Sequence, residues 1–423
     1  MNSEDIYDGI TDVREELIDE ADKRPVSRRR RWTAAAAAVL ALAVLLGVAL
    51  RPGGGGGLTA SAYAIAVAAY PEMPPLPNEE DFIDPLTGEW DGDRFDRLYS
   101  PWWEAQRARW MELPEDYAQG MEDFFTESVR QFLSGAGGEN RVYSPVNLCM
   151  ALAMLAELTD GDSRGQILTL LGQDSLEDLR TQVSHIWRAN YCNDGATTSI
   201  LANSLWLNQD VAFVPETMET LARNFYASSY QGEMGSESLN RALRDWVNQQ
   251  TGGLLKEQAS GLELEPDTVL ALASTVYFRA KWNNEFREQN TSPQVFHSPG
   301  GDVTCDFMHQ SGTGAYFWGD RFSAVYKSLD NYGGTMWFIL PDEGFAPEDL
   351  LSDPQAMEFL LADRNWDDWE ENRKDLIVNL ALPKFDAASD LDLRGGLRAL
   401  GVTDVFDPAD SDFTPMTAEV EEI

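Results

Sequence analysis

The side chains that could act as nucleophile, base or metal ligand are few and scattered. Cysteine stands at Cys149, Cys192 and Cys305, and histidine at His185, His297 and His309. Neither CxxC nor the ligand spacing of a zinc site occurs, so no metal cluster, disulfide framework or catalytic dyad is written locally. The nucleophile elbow GxSxG, the metalloprotease signature HExxH and the phosphate loop GxxxxGK[ST] are all absent. "DGDRFD" at 91–96 lacks the spacing and the glycine of a calcium loop and reads as a solvated turn. Cys149, Met150 and Met154 fall in one apolar helical pattern and read as core fillers. An enzyme, a metal protein and a cofactor carrier are therefore not indicated. A membrane-tethered hydrolase ranks last among the classes of function.

The totals narrow the partners. A formal charge of −39 argues against nucleic acid, whose binders need clustered Lys and Arg to neutralise phosphates. An acidic surface attracts cationic partners instead. With 43% apolar and 11% aromatic residues in 423, the chain can bury at least one large core.

The elements that must position any site begin with a membrane signal. Thr33 to Leu50 carries no charge and as a helix would span ~27 Å at ~1.5 Å per residue, close to a bilayer core. Lys23, Arg24 and Arg28 to Arg31 precede it and only Arg51 follows closely, which places residues 1–31 in the cytoplasm and the remainder outside. The expectation is a single-pass anchor over 32–51. The alternative is a signal peptide cleaved at "ASA", Ala60 to Ala62, giving a secreted protein. Within 1–31, Ile6, Ile10, Val13 and Leu17 fall at helical spacing and predict a short acidic amphipathic helix. Residues 52–114, rich in Gly, Pro, acids and aromatics, read as a linker or stalk. Trp90, Trp102, Trp103 and Trp110 lie too close together for a free linker, so part of it is expected to pack on the domain that begins at 115.

From 115 the pattern becomes compact. "SPVNLCMALAMLAEL" has Ser144 as N-cap and Pro145 at the first helical position, ahead of an apolar run that predicts a buried helix. "NRALRDWVNQQTGG" places Leu243, Trp246 and Val247 on one face and ends at Gly252 and Gly253, a surface helix. "DTVLALASTVYFRAKW" is apolar on both faces and predicts a central strand covered on both sides. "GTMWFILPDEG" and "LIVNLALPKF" read as further strands. The class is α+β with large sheets.

These motifs, in this order, resemble a serpin. The match runs from "NRVYSPVNLCMALAMLAEL" through "QILTLLG", "ILANSLWLN", "LRDWVNQQTGG", "TVLALASTVYFRAKWNNEF", "MWFILP" and "LALPKFDAASDLDLRGGLRALGVTDVFDP" to "SDFTPM". The resemblance implies an inhibitor of serine, or sometimes cysteine, proteases, which offers a reactive loop as bait and inserts the cleaved loop as a new strand in its main sheet. It implies a conformational latch beneath that sheet formed by Ser144 and the positions of Asn147 and Ser274. The family usually has Ser where this chain has Asn147 and Asn where it has Ser274, so one amide and one hydroxyl are kept in exchanged order. The other reading is that both are unrelated polar residues that satisfy backbone groups. Trp282, in "KWNNEF", matches the tryptophan at which the loop first enters; a plain core aromatic is compatible with that role.

The family continues beyond "SDFTPM" with another central strand, the loop hinge, the bait bond and strands of a second sheet. None is found before Ile423, so the expectation is a serpin-like domain over 115–423 without its reactive centre, either a fragment or a natural truncation. The expected partners are a target serine or cysteine protease and the membrane, through one helix; the alternative is a non-inhibitory or decayed surface binding protein. No cofactor, metal or nucleic acid is expected.

Overall fold

The computed structural model describes residues 60–417 apart from 299, 362–365 and 390. The expected anchor at Thr33–Leu50 and the acidic helix before it lie outside the described residues. No described helix is long and apolar enough to cross a membrane. The chain divides into two compact units.

The first unit comprises 60–132, 143–281 and 391–417 of the described chain. Its five-stranded sheet is built from β1 (Ala64–Ala66), β2 (Cys192–Asn193), β3 (Thr198–Asn208), β4 (Ala227–Gly232) and β5 (Leu270–Arg279). β3 lies parallel to β4 and antiparallel to β5. The helices are α1 (Gly92–Met111), α2 (Glu122–Leu133), α3 (Pro145–Leu158), α4 (Gly161–Leu170), α5 (Leu176–Asn190), α6 (Pro215–Asn224), α7 (Glu237–Gln250) and the single turn α8 (Lys256–Ala259).

The period-two alternation of a strand decides how β3 is covered. Leu201, Leu205 and Leu207 join the core around α3 and α5, and Ala202 and Trp206 join the core under α7. In α7, Leu239, Ala242, Leu243, Trp246 and Val247 face inward. α5 buries Leu179, Val183, Ile186 and Trp187, at i, i+4, i+7 and i+8, and is capped by the Ser175 side chain. β5 has the expected two-sided cover in its first half, where Leu270 and Leu272 pack on the core around α3 and Ala271 and Ala273 on the core under α7, and departs from it in its second half. Among the described residues it pairs with β3 alone, and Val276 and Phe278 are exposed. Its apolar run supplies strand propensity, but cover is set by what packs on each face.

The described part of 52–114 is not an extended stalk. β1 adds an antiparallel strand to β4, with Ala64 opposite Tyr230 and Ala66 opposite Ser229. Tyr70 packs against the rings of Trp187, Tyr191 and Tyr226. α1 runs for 20 residues from its Asp91 cap and buries Trp102 and Gln106. The Trp102 indole N–H and the Gln106 amide donate to Asp194 Oδ2 at 3.0 and 3.2 Å. Asp194 is 1% exposed, and its other oxygen accepts from the Ala196 and Thr197 amides, so a buried carboxylate is fully hydrogen-bonded. Prolines and acids made this stretch look extended; its aromatics hold it down.

The second unit comprises 133–142 and the described residues of 282–390. Its five-stranded sheet contains β6 (Thr291–Ser298), β7 (Gly301–Trp318), β8 (Phe322–Ser328), β9 (Thr335–Pro341) and β10 (Arg373–Pro383). β10, β7, β8 and β9 are neighbours in that order and β6 also pairs with β7. Phe317, Phe322, Ala324 and Phe359 form the core beneath it, with α9 (Pro347–Leu350) and α10 (Pro354–Leu361) supplying Leu350 and Ala356.

Candidate functional site

α3 is the element that aims the polar groups. Ser144 stands before it with extended backbone, and its hydroxyl accepts from the Asn147 amide N–H at 3.2 Å. That cap fixes the first turn, and the buried run from Leu148 to Leu158 fixes the rest of the helix in the core. Asn147, at the third helical position, then reaches β5. Its Nδ2 donates to the Ser274 carbonyl at 3.4 Å, and the Ser274 hydroxyl bonds to Asn147 Oδ1.

The contact continues across the sheet. Ser274 sits directly opposite Asn203 in the β3–β5 register, and its Oγ lies 2.6 Å from Asn203 Oδ1. Asn203 Nδ2 donates in turn to the Phe225 carbonyl, 2.9 Å away, just ahead of β4. One hydroxyl thus joins a helix and two strands, and Asn203 extends the relay to the backbone ahead of β4. A serine has a single proton, so it serves one of the two amide oxygens, and the other amide, turned end for end, gives its NH2 to the hydroxyl. The Asn147 bond at 3.4 Å is looser than the Asn203 bond at 2.9 Å, so Asn147 is the amide freer to turn.

Trp282 belongs to the second unit. It is half-buried, forms an isolated bridge with Leu329 and meets Phe286 edge-on at 5.8 Å. Lys327 lies across both rings, its Nζ 5.5 Å from the Trp282 centroid and 4.7 Å from that of Phe286. The ammonium donates to the Asn284 carbonyl and to Gln310 Oε1. Burial pulls its pKa below the ordinary lysine value.

The structure therefore brings Asn147 and Ser274 into direct contact, keeps Ser144 at the helix cap and sets Trp282 in a separate aromatic cluster. Asn203 and Lys327 were not singled out in the sequence. The available signal for Asn203 was an amide in the middle of a strand, between the apolar runs Ile200–Ala202 and Leu205–Leu207. Burial pushes the Cys149 thiol up to about 12. Among the described residues no group of His, Cys, Asp and Glu is placed to hold a metal ion.

Residues 119–423 match the family model described as Serpin (serine protease inhibitor). The chain belongs to the serpin family. An uncharacterised serpin-like protein of Thermococcus kodakarensis is 29% identical over 280 residues, which are 64% of this chain and 62% of that relative. Alpha-1-antiproteinase 2 of Equus caballus is 27% identical over 312 residues, 72% of this chain and 71% of the relative. The crystal structure of the thermophilic serpin tengpin in its native state superposes with a TM-score of 0.63 at 22% identity, covering 74% of this chain and 79% of the other. Within this serpin the docked segment that precedes 119 falls outside the matched region.

Proposed function

We propose that this serpin inhibits serine or cysteine proteases at the outer cell surface, through cleavage of a reactive loop that then enters its main sheet. It would act as a consumed substrate rather than a catalyst. In this reading Thr33–Leu50 anchors the protein, with residues 1–31 in the cytoplasm.

The observation that carries the reading is the relay from Asn147 through Ser274 to Asn203. A strand that enters beside β5 has to shift β5 or β3 relative to α3, and each such shift breaks part of the relay. Its hydrogen bonds contribute about 0.5–1.5 kcal/mol apiece. Three of them make a threshold of a few kcal/mol, enough to hold the closed sheet and low enough to be overcome by a full strand's pairing. The exchanged order of amide and hydroxyl preserves that chemistry. Trp282 would mark the place where the strand first enters.

The test is to nick the loop of the full-length protein with a non-target protease and heat it. Insertion predicts a large rise in the unfolding temperature. A nicked protein that melts where the intact one does would make this a non-inhibitory member of the family.

A further inference from the structure

Among the described residues Lys327 is a buried cation whose hydrogen-bond partners are neutral. It is 8% exposed near the end of β8, and two oxygens, the Asn284 carbonyl and Gln310 Oε1, accept from its ammonium. The rings of Phe286 and Trp282 flank the charge. Among the described residues burial alone sets the direction of its pKa. An ammonium carries three N–H donors, so two oxygens leave one donor, and the whole unit of charge, without an anion among the described residues. Asn284 is exposed and Trp282 half-buried, which puts the ammonium just beneath the surface. Aromatic walls of this kind hold a cation in place but do not neutralise it.

We propose that Lys327 is the receptor for a carboxylate, carried either by an Asp or Glu side chain of an extended peptide or by a free organic acid. One carboxylate balances one ammonium, whereas a phosphate would bury a second, unpaired charge. The free N–H gives the anion a single strong hydrogen bond, and the Asn284 rim offers a polar approach. This site goes beyond the inhibitor reading and does not depend on it.

Lys327 is one of six lysines in the sequence, with Lys23, Lys256, Lys281, Lys374 and Lys384, and in full-length protein carrying 15N-labelled lysine its Nζ resonance is assigned as the one lost in K327Q. Three probes are added at matched ionic strength: glutarate, a short Thr/Ala peptide with one Glu, and its Gln counterpart. Glutarate or the Glu peptide should shift the Lys327 resonance, and the thermal midpoint should climb with the logarithm of probe concentration. K327M and K327Q should lose that dependence; two variants guard against one failing to fold. A Glu peptide that binds more tightly than glutarate, with the Gln peptide inert, assigns a peptide carboxylate, and glutarate binding at least as tightly assigns a free acid. If neither carboxylate moves the Lys327 resonance, or if K327M keeps the dependence, the proposal fails. Because the readout is binding at the lysine, failure to trap a protease would leave this result standing.

Discussion

Replacing Ser274 by alanine removes the hydroxyl shared by Asn147 and Asn203. Asn203 is 1% exposed, so no water replaces the lost partner of its Oδ1, while its Nδ2 keeps the Phe225 carbonyl. An unsatisfied buried acceptor costs about 1–3 kcal/mol, and the same loss is expected of S274A. Asn147 is half-buried and regains water when its partner goes. N147A leaves the Ser274–Asn203 bond intact and should cost about 0.5–1.5 kcal/mol. If the two side chains share one relay, the double variant N147A/S274A falls short of the sum by about 1 kcal/mol. Urea unfolding curves measure this as midpoint shifts at constant slope. The exchanged pair N147S/S274N, which reverses amide and hydroxyl, should recover most of what each single exchange loses. Alanine losses that add to within about 0.3 kcal/mol, together with additive losses for the exchange, would refute the relay.

Asp194→Ala strips the acceptor from the buried Trp102 indole and the Gln106 amide, two donors at about 1–3 kcal/mol each; amide hydrogen exchange across 92–111 should rise sharply, and unchanged protection would show that the segment is held elsewhere. The folded pKa of Lys327 lies below the ordinary 10.5, so between the two values the unfolded chain binds more protons, and stability rises with pH through that window. The wild type should therefore gain on K327M as alkalinity increases up to about 10.5, and a difference independent of pH would contradict the burial argument. Cys149, fully buried with its thiol at about 12, should resist a thiol reagent at roughly pH 8 until the protein unfolds, whereas fast labelling of native protein would mean that α3 opens locally.

α3 and α7 were legible because a cap and a 3.6-residue apolar period are local facts, and Ser144 and Trp246 sit where those patterns put them. The relay was legible only in part. Asn147 and Ser274 were singled out through the resemblance, but nothing local tied either to Asn203, whose partner lies 71 residues away and is fixed by strand register. Lys327 escaped notice for the same reason: its burial is made by Trp282, Phe286 and Gln310 from other parts of the chain. Residues 60–111 gave two signals, and the cluster of tryptophans was the right one: it spoke for packing, and Trp102 is buried. Local composition spoke for an extended chain, and the burial of Trp102 against Asp194 overrode it.

A serpin that inhibits traps its target covalently, whereas one that merely carries the fold does not. Full-length protein incubated with a panel of serine and cysteine proteases, boiled in detergent and separated by mass, tests for that trap most directly. A covalent species at the combined mass of protease and protein is expected, with protease activity lost in proportion. Cleavage by every protease with no such species would contradict the inhibitor reading.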